Sequence, residues 1–302
     1  MQRSFSNTLL MGGLGVTLFG LTGWFRTQPN RAILADALVS GRAEPVAVSE
    51  PLAAPIVAAQ LWLMAAADPR FGGISGLASD GGDLIALTDS GVVIRFVPPA
   101  PGRQPIQFQF RDLPGGPGRE YRKAGRDSES LLRDPRGRGW WVGFEGRHSI
   151  WLFDKDFSNV IDRHVITEDW PRNRGAEALT AGPGGRIFAL PENGGRALAP
   201  DGTRGPANPR GTSDATRLAD GRLALLVRRV TVTGFVSEVR ISAKAGKPKQ
   251  RLRLPLGPLA NAEAIAAVPG TGGGTRLWIA TDDNNRPWMR TYLLAIDLAK
   301  GA

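Results

Sequence analysis

GAEALTAGPGGRIFALPENGG (residues 175–195) is a two-strand sentence: small and apolar residues around a carboxylate, a glycine-rich reversal, an apolar run, then a second carboxylate. The same grammar recurs in GISGLASDGGDLIALTDSG (73–91), DSESLLRDPRGRGWWVGFEGR (127–147), TSDATRLADGRLALLVRR (212–229) and NAEAIAAVPGTGGGTRLWIATDDNNR (261–286). Aligning Ser75, Glu129, Glu177, Asp214 and Glu263 puts the five units 54, 48, 37 and 49 residues apart. A further alternating strand follows most units, at 92–97, 150–154, 236–242 and 292–298. Short all-β meanders repeated every 40–50 residues or so are the signature of propeller blades. Solenoids of this period are mostly helical or carry asparagine and leucine ladders, and two stacked sandwiches would not repeat one turn-and-charge grammar. The expected fold is therefore all-β: a β-propeller with five recognisable blade repeats. A sixth could lie in the long 91–126 or 230–260 intervals. The strand-like run around IVAAQLWLM (56–64) is expected to pair with the last blade and close the ring, removing an open sheet edge.

Composition agrees. Thirty-nine glycines and 23 prolines are spread along 302 residues, which suits many short strands joined by tight turns. There is no cysteine, which excludes disulfide frameworks, zinc fingers and cysteine nucleophiles, and the two histidines exclude a multi-histidine metal centre. The formal charge is +10, yet no run of four basic residues occurs and only six of the 38 basic residues are lysine. Few aromatics sit among them, so no nucleic-acid partner is expected. A small anionic substrate such as a phosphate ester fits the charge better.

The first 44 residues stand apart. Arg3 precedes the uncharged, apolar stretch Leu9–Phe25 (LLMGGLGVTLFGLTGWF), the layout of a secretory signal or an N-terminal anchor helix. The expected organisation is a signal peptide or membrane anchor plus linker over 1–44 and one propeller domain over 45–302. Ala35-Asp36-Ala37 is a weak cleavage candidate. The protein is then extracytoplasmic, in the periplasm or secreted, with membrane association through residues 9–25.

In a propeller, equivalent positions of all blades surround one axis. One ring then reads Ser75, Glu129, Glu177, Asp214 and Glu263; a second, at the ends of the following strands, reads Asp89, Glu145, Glu192, Arg228 and Asp282. Arginines accompany the carboxylates at short range: Arg126, Arg147, Arg174, Arg196 and Arg286. Carboxylates in a channel can hold a hard cation such as calcium, and arginines can grip a phosphate or carboxylate. Equally, such a ring can be a salt-bridged frame that only sets blade register. No Gly-x-Ser-x-Gly elbow is present, so Ser75 and Ser128 read as turn or channel polar groups. His148, in EGRHSIW, is a candidate acid–base group beside Glu145, and His164 reads as surface. Trp140, Trp141, Trp151 and Trp278 read as packing between blades, and Gly72-Gly73 and Gly272–Gly274 as turns.

At these motifs the chain resembles the phytase-like domain family, described as "esterase-like activity of phytase", over roughly residues 70–298. The resemblance implies a bacterial exported propeller with phosphoester or ester hydrolase activity, dependent on calcium or another divalent cation. Carried over position by position, it implies Glu177 and Glu129 as catalytic groups, to which the reading of EGRHSIW adds His148. Glu129, Glu145, Glu192, Glu263, Asp282 and Asp283 become metal ligands, with Arg147, Arg174, Arg286 and Asn193 on the substrate. The chain lacks the Asp-Ala-Ala-Asp-Asp-type segment of established propeller phytases. The competing reading is a non-catalytic envelope propeller that binds an anionic ligand or a protein.

Overall fold

The computed structural model describes residues 32–48, 50–119, 126–168, 170, 175–244 and 249–301. The first unit is a four-stranded meander, β3–β6 (Ile74–Asp80, Asp83–Thr88, Val92–Phe96, Ile106–Asp112). The second holds β7–β10 (Ser128–Arg133, Gly139–Phe144, Ser149–Asp154, Val160–Val165) and the third β11–β14 (Ala176–Ala181, Ile187–Pro191, Gly195–Leu198, Arg204–Asn208). The fourth holds β15–β18 (Thr212–Arg217, Leu223–Thr231, Gly234–Ile241, Gln250–Arg253). The fifth takes β19–β21 (Asn261–Pro269, Thr275–Asp282, Tyr292–Leu298) and its outer strand from the N-terminal side, β2 (Ile56–Ala66). Pairing within each unit is antiparallel. Among the described residues, the two long intervals that could have hidden a further repeat supply outer strands, 91–126 giving β5 and β6 and 230–260 giving β17 and β18.

The closure expected from IVAAQLWLM is present as the β2–β21 ladder. It is reinforced by a strand not anticipated from sequence. β1 (Ala37–Val46) pairs with β2 on one side and with β6 on the other, fusing the first and fifth units into one nine-stranded sheet. β1 begins inside the stretch read from sequence as linker. Its alternation of half-buried Ala37 and Val39 with exposed Leu38 and Ser40 is too short a signal to recognise without its partners. Among the described residues no helix is long and apolar enough to cross a membrane, and Leu9–Phe25 lies outside them.

The apolar core is divided into five layers, one between each neighbouring pair of units. Leu87, Trp140, Trp151 and Phe153 join the first and second. Trp141, Ile150 and Leu179 join the second and third, and Phe188, Leu190 and Leu225 the third and fourth. Leu226, Ile265 and Leu294 join the fourth and fifth, and Trp62, Phe108 and Trp278 return the fifth to the first. The first strands touch in the order β3, β7, β11, β15, β19 and back to β3, so the ring closes around one axis. The four tryptophans read as packing groups are all buried in these layers.

Trp62 lies upstream of every repeat, yet it is 4 % exposed with its ring centroid 5.8 Å from that of Trp278. Trp62→Ala should therefore cost about 3–5 kcal/mol, the usual loss for a buried aromatic. Urea unfolding measures it, and a change below about 1 kcal/mol would mean that β2 is not part of the core.

Candidate functional site

Every first strand carries a β-bulge at the same place. The register skips Ser75 in β3, Glu129 in β7, Glu177 in β11, Ser213 in β15 and Glu263 in β19. A bulge re-aims one side chain out of the regular alternation, and here it delivers one residue per unit to the axis. Beside it the paired second strands bring Asp89, Glu145, Glu192 and Asp282 at their ends and Arg228 within β16, which runs on to Thr231: Asp89 donates its N–H to the Gly73 carbonyl, Glu145 to that of Asp127 and Arg228 to that of Gly211. Ten positions thus converge, holding seven carboxylic acids, two serines and one arginine.

The fourth unit needs a correction. The position equivalent to Glu129 and Glu177 is Ser213, one residue before Asp214, because the bulge falls between Thr212 and Asp214. Asp214 turns sideways and is 1 % exposed; its carboxylate accepts the N–H of Ala215 and of Ile265, each at 2.7 Å, and that of Leu77. It is a strut between the fourth unit and the fifth and first.

Two halves of the ring differ in character. On one side the guanidinium of Arg228 donates from Nη1 to Glu263 and, at 2.6 Å, to Asn261, and from Nη2 to Glu192 at 3.4 Å. Asn261 also donates to Glu263 at 2.8 Å. Across the axis, Asp127, Glu129 and Glu145, all half-buried, bring carboxylate oxygens within 4.8 Å of one another. Two oxygens bound to one calcium ion at 2.3–2.6 Å lie at most about 5 Å apart, so this set fits a hard divalent cation, with water completing its six to eight ligands. Asp127 was not among the candidates from sequence. It precedes the strand, and only the pairing of Glu145 with the Asp127 carbonyl brings it to the site.

Electrostatics follows from burial. Desolvation, with Glu145, Glu192 and Glu263 nearby, pushes Glu177 well above the ordinary carboxylate range. Burial raises Glu263 from 4.5 to about 7 despite the opposing effects of Arg228 and Asn261, with Glu192 and Asp89 adding to the rise. Asp282 is raised by burial and then by Asp89 and Glu263. Burial also raises Asp214, against its backbone hydrogen bonds. Burial opposes the charge of Arg228, but Glu263, Glu192, Glu177 and Asp282 outweigh it and hold its pKa above the ordinary value.

Other expected site residues are placed differently. Asp283 serves its own loop: it accepts the N–H of Asn285 at 3.0 Å and the Thr291 hydroxyl at 3.3 Å, and it packs against Gly72. Asp282, which caps Asn284 at 2.7 Å, stays with the ring. His148 is held by the Trp170 carbonyl, 2.9 Å from Nε2, and its buried Nδ1 faces the Gly175 backbone with no hydrogen-bond partner. That environment braces the 145–148 turn. Arg147 is exposed on the same turn, and Arg174 lies outside the described residues. Arg286 is half-buried, with its guanidinium 5.3 Å from the ring centroid of the exposed Trp288. Asn193 lines a pocket of about 440 Å³ with Glu192, Arg210, Gly211, Arg228, Arg229 and Val230. Arg210 and Arg229 were not singled out from sequence. Ser75 donates to the Ser128 carbonyl at 2.7 Å and Ser128 to that of Thr88 at 2.8 Å, the structural roles expected of them. His164, paired with Asp162, lies on the outer strand β10 but is half-buried, its ring centroid 5.6 Å from that of Trp141.

Raised carboxyl pKa values have a definite linkage sign. The folded state holds these protons more tightly than the unfolded chain, so stability falls as pH rises between the unfolded and folded values. For Glu263 that window runs from 4.5 to about 7 and amounts to on the order of 3 kcal/mol. The melting temperature should fall across it, and Glu263→Gln should flatten the decline; a profile that rises through the same window would contradict the buried ring.

The family described as "Phytase-like: Esterase-like activity of phytase" matches residues 69–285, more than two thirds of the chain. No curated protein matches. Among solved structures, hydrazine synthase of Kuenenia stuttgartiensis is similar at 14% identity with a TM-score of 0.40, over 77% of this chain and 65% of that one, just short of two thirds of its length. Glutaminyl cyclase of Myxococcus xanthus is similar at 14% identity and a TM-score of 0.44, over 90% and 100%. The WD40 domain of Neurospora crassa Pan2 gives 11% and 0.43, over 85% and 95%. Likenesses at this level concern the fold alone.

Proposed function

The chain belongs to the phytase-like family, and from that premise we propose that it is a five-bladed propeller hydrolase of phosphate or other ester bonds, working at its acidic channel mouth with a divalent cation. The observation that carries this reading is the convergence of Asp127, Glu129 and Glu145 within 4.8 Å. These three carboxylates would hold calcium or a similar ion, which polarises an ester and lowers the pKa of a water molecule when bound.

The chain's own groups do the rest. Glu177 lies between Glu145 on one side and Glu192, Glu263 and Arg228 on the other, and burial with these neighbouring carboxylates favours its protonated form, which suits a proton-donating role in the site. Asn193, Arg210 and Arg229 line the open pocket beside Glu192 and supply donors for an anionic substrate, with Arg147 and Arg286 as further candidates. Glu192 and Glu263 are engaged by Arg228, so we assign them to the frame of the site rather than to the metal. His148 is left out of the chemistry because its ring is held by Trp170.

We place the protein outside the cytoplasm, with Leu9–Phe25 as its export signal or anchor. Leu34, Ala35 and Asp36 are already tied to Asp112, Arg70 and Arg111, so processing must leave β1 whole.

The test is a panel of phosphate and carboxylate esters with calcium, magnesium or manganese. Turnover should appear with metal and fall at least 100-fold in Glu177→Gln and in Glu129→Gln. Glu129→Gln should also lose the rise in melting temperature that calcium gives the wild type. Calcium that neither shifts the melt nor supports turnover would remove the hydrolase reading and leave a propeller that binds an anionic ligand.

A further inference from the structure

The fourth unit breaks the charge pattern of the ring twice, and both changes act at one point. Where the second, third and fifth units place a glutamate at the bulge and a carboxylate at the end of the second strand, the fourth places Ser213 and Arg228. The short serine is withdrawn: its hydroxyl donates to the Ala262 carbonyl at 3.2 Å. The long arginine fills the space left, with its side chain 10% exposed. Phe235 lies 5.7 Å from the guanidinium, and the Arg228 backbone N–H donates to Gly211 at 2.7 Å. Gly211 itself is required there: with φ +82° it would drive a side chain to within 2.2 Å of the Arg228 carbonyl. The guanidinium is therefore fixed from behind and committed in front to Glu192, Glu263 and Asn261.

A planar guanidinium carries its charge at every accessible pH and bridges two carboxylates through separate N–H groups. We propose that Arg228 is a resident cation that determines the ion capacity of the ring. It permanently occupies the position between Glu192 and Glu263, so a divalent ion is admitted only on the opposite side, at Asp127, Glu129 and Glu145. The second half of that statement rests on the metal reading above; the first does not. Arg228 is a positioning and specificity-determining residue, since it touches the carboxylates of the ring and no reacting group.

The experiment uses the full chain, titrated with calcium alone by calorimetry and followed by thermal melting. The wild type should bind one ion and Arg228→Ala two. The melting temperature of Arg228→Ala should rise by more than 5 °C on addition of either calcium or millimolar methylguanidinium. Tetramethylammonium, which has the charge but no donors, should do nothing. Arg228→Lys should keep a single site. If Arg228→Ala does not fold without ions, the triple variant Arg228→Met, Glu192→Gln, Glu263→Gln removes cation and carboxylates together and should bind one ion. Equal calcium stoichiometry in wild type and Arg228→Ala, with no selective rescue by methylguanidinium, overturns the proposal. A wild type that binds no calcium beside an Arg228→Ala that binds one upholds the resident cation and removes the Asp127, Glu129 and Glu145 metal site.

Discussion

The innermost strand of each unit has one edge with no neighbouring strand, and its backbone groups must find partners in a narrow axial space. Unpaired buried backbone is costly, so this edge constrains everything around it. The chain meets the demand with short polar side chains from other units, most often the preceding one. Ser75 reaches the Ser128 carbonyl, Ser130 that of Ala176 at 2.8 Å and Ser213 that of Ala262, while Asp214 takes the N–H groups of Ile265 and Leu77. These contacts bring neighbouring units close together. At Gly143 even a methyl group would come within 2.2 Å of the Ser130 hydroxyl.

The same bulges that make this stitching possible create the acidic ring. A regular strand would send alternate residues toward the two neighbouring units, where the five apolar layers lie. The extra residue escapes that alternation, and in three of five units it is a glutamate. Concentrating seven carboxyl groups where water is scarce is unfavourable, and raised pKa values are the form that cost takes. A protein selected for stability alone would do better with apolar residues, since buried charge networks seldom contribute net stability.

Much of this was legible in the chain. The turn grammar repeats because each unit must reverse in a few residues, and it locates the first two strands of every unit. The charges at the strand ends are legible for the same reason: one position beyond a fixed hairpin register is itself fixed. What was lost is what register alone decides. Ser213 and Asp214 are adjacent, and composition favours the acid as ring member, but the bulge selects the serine and turns Asp214 into a strut. Asp127 looks like a turn residue until Glu145 pairs with it. Asp283 copies the chemistry of Asp282 in sequence and spends its oxygens on its own loop. β1 is invisible because a strand whose partners lie 15 to 73 residues away carries no local mark beyond a brief alternation.

The asymmetry of the ring is the feature that separates this chain from a symmetric acidic pore. Five equivalent acidic pairs would repel one another equally and would attract cations without selecting a place for them. Arg228 removes that degeneracy. By engaging Glu192 and Glu263 it fixes two side chains that would otherwise compete for a metal, and it leaves Asp127, Glu129 and Glu145 across the axis. Glu177, which feels Arg228 on one side and Glu145 on the other, is thereby poised between a neutralised half and an acidic half. The open pocket edged by Arg210 and Arg229 adjoins the neutralised half, where an anion meets the least repulsion. On the hydrolase proposal, an anionic ester entering there would lie against cations at one end and face the three carboxylates at the other. One arginine in one unit is enough to give a pseudo-symmetric ring a direction.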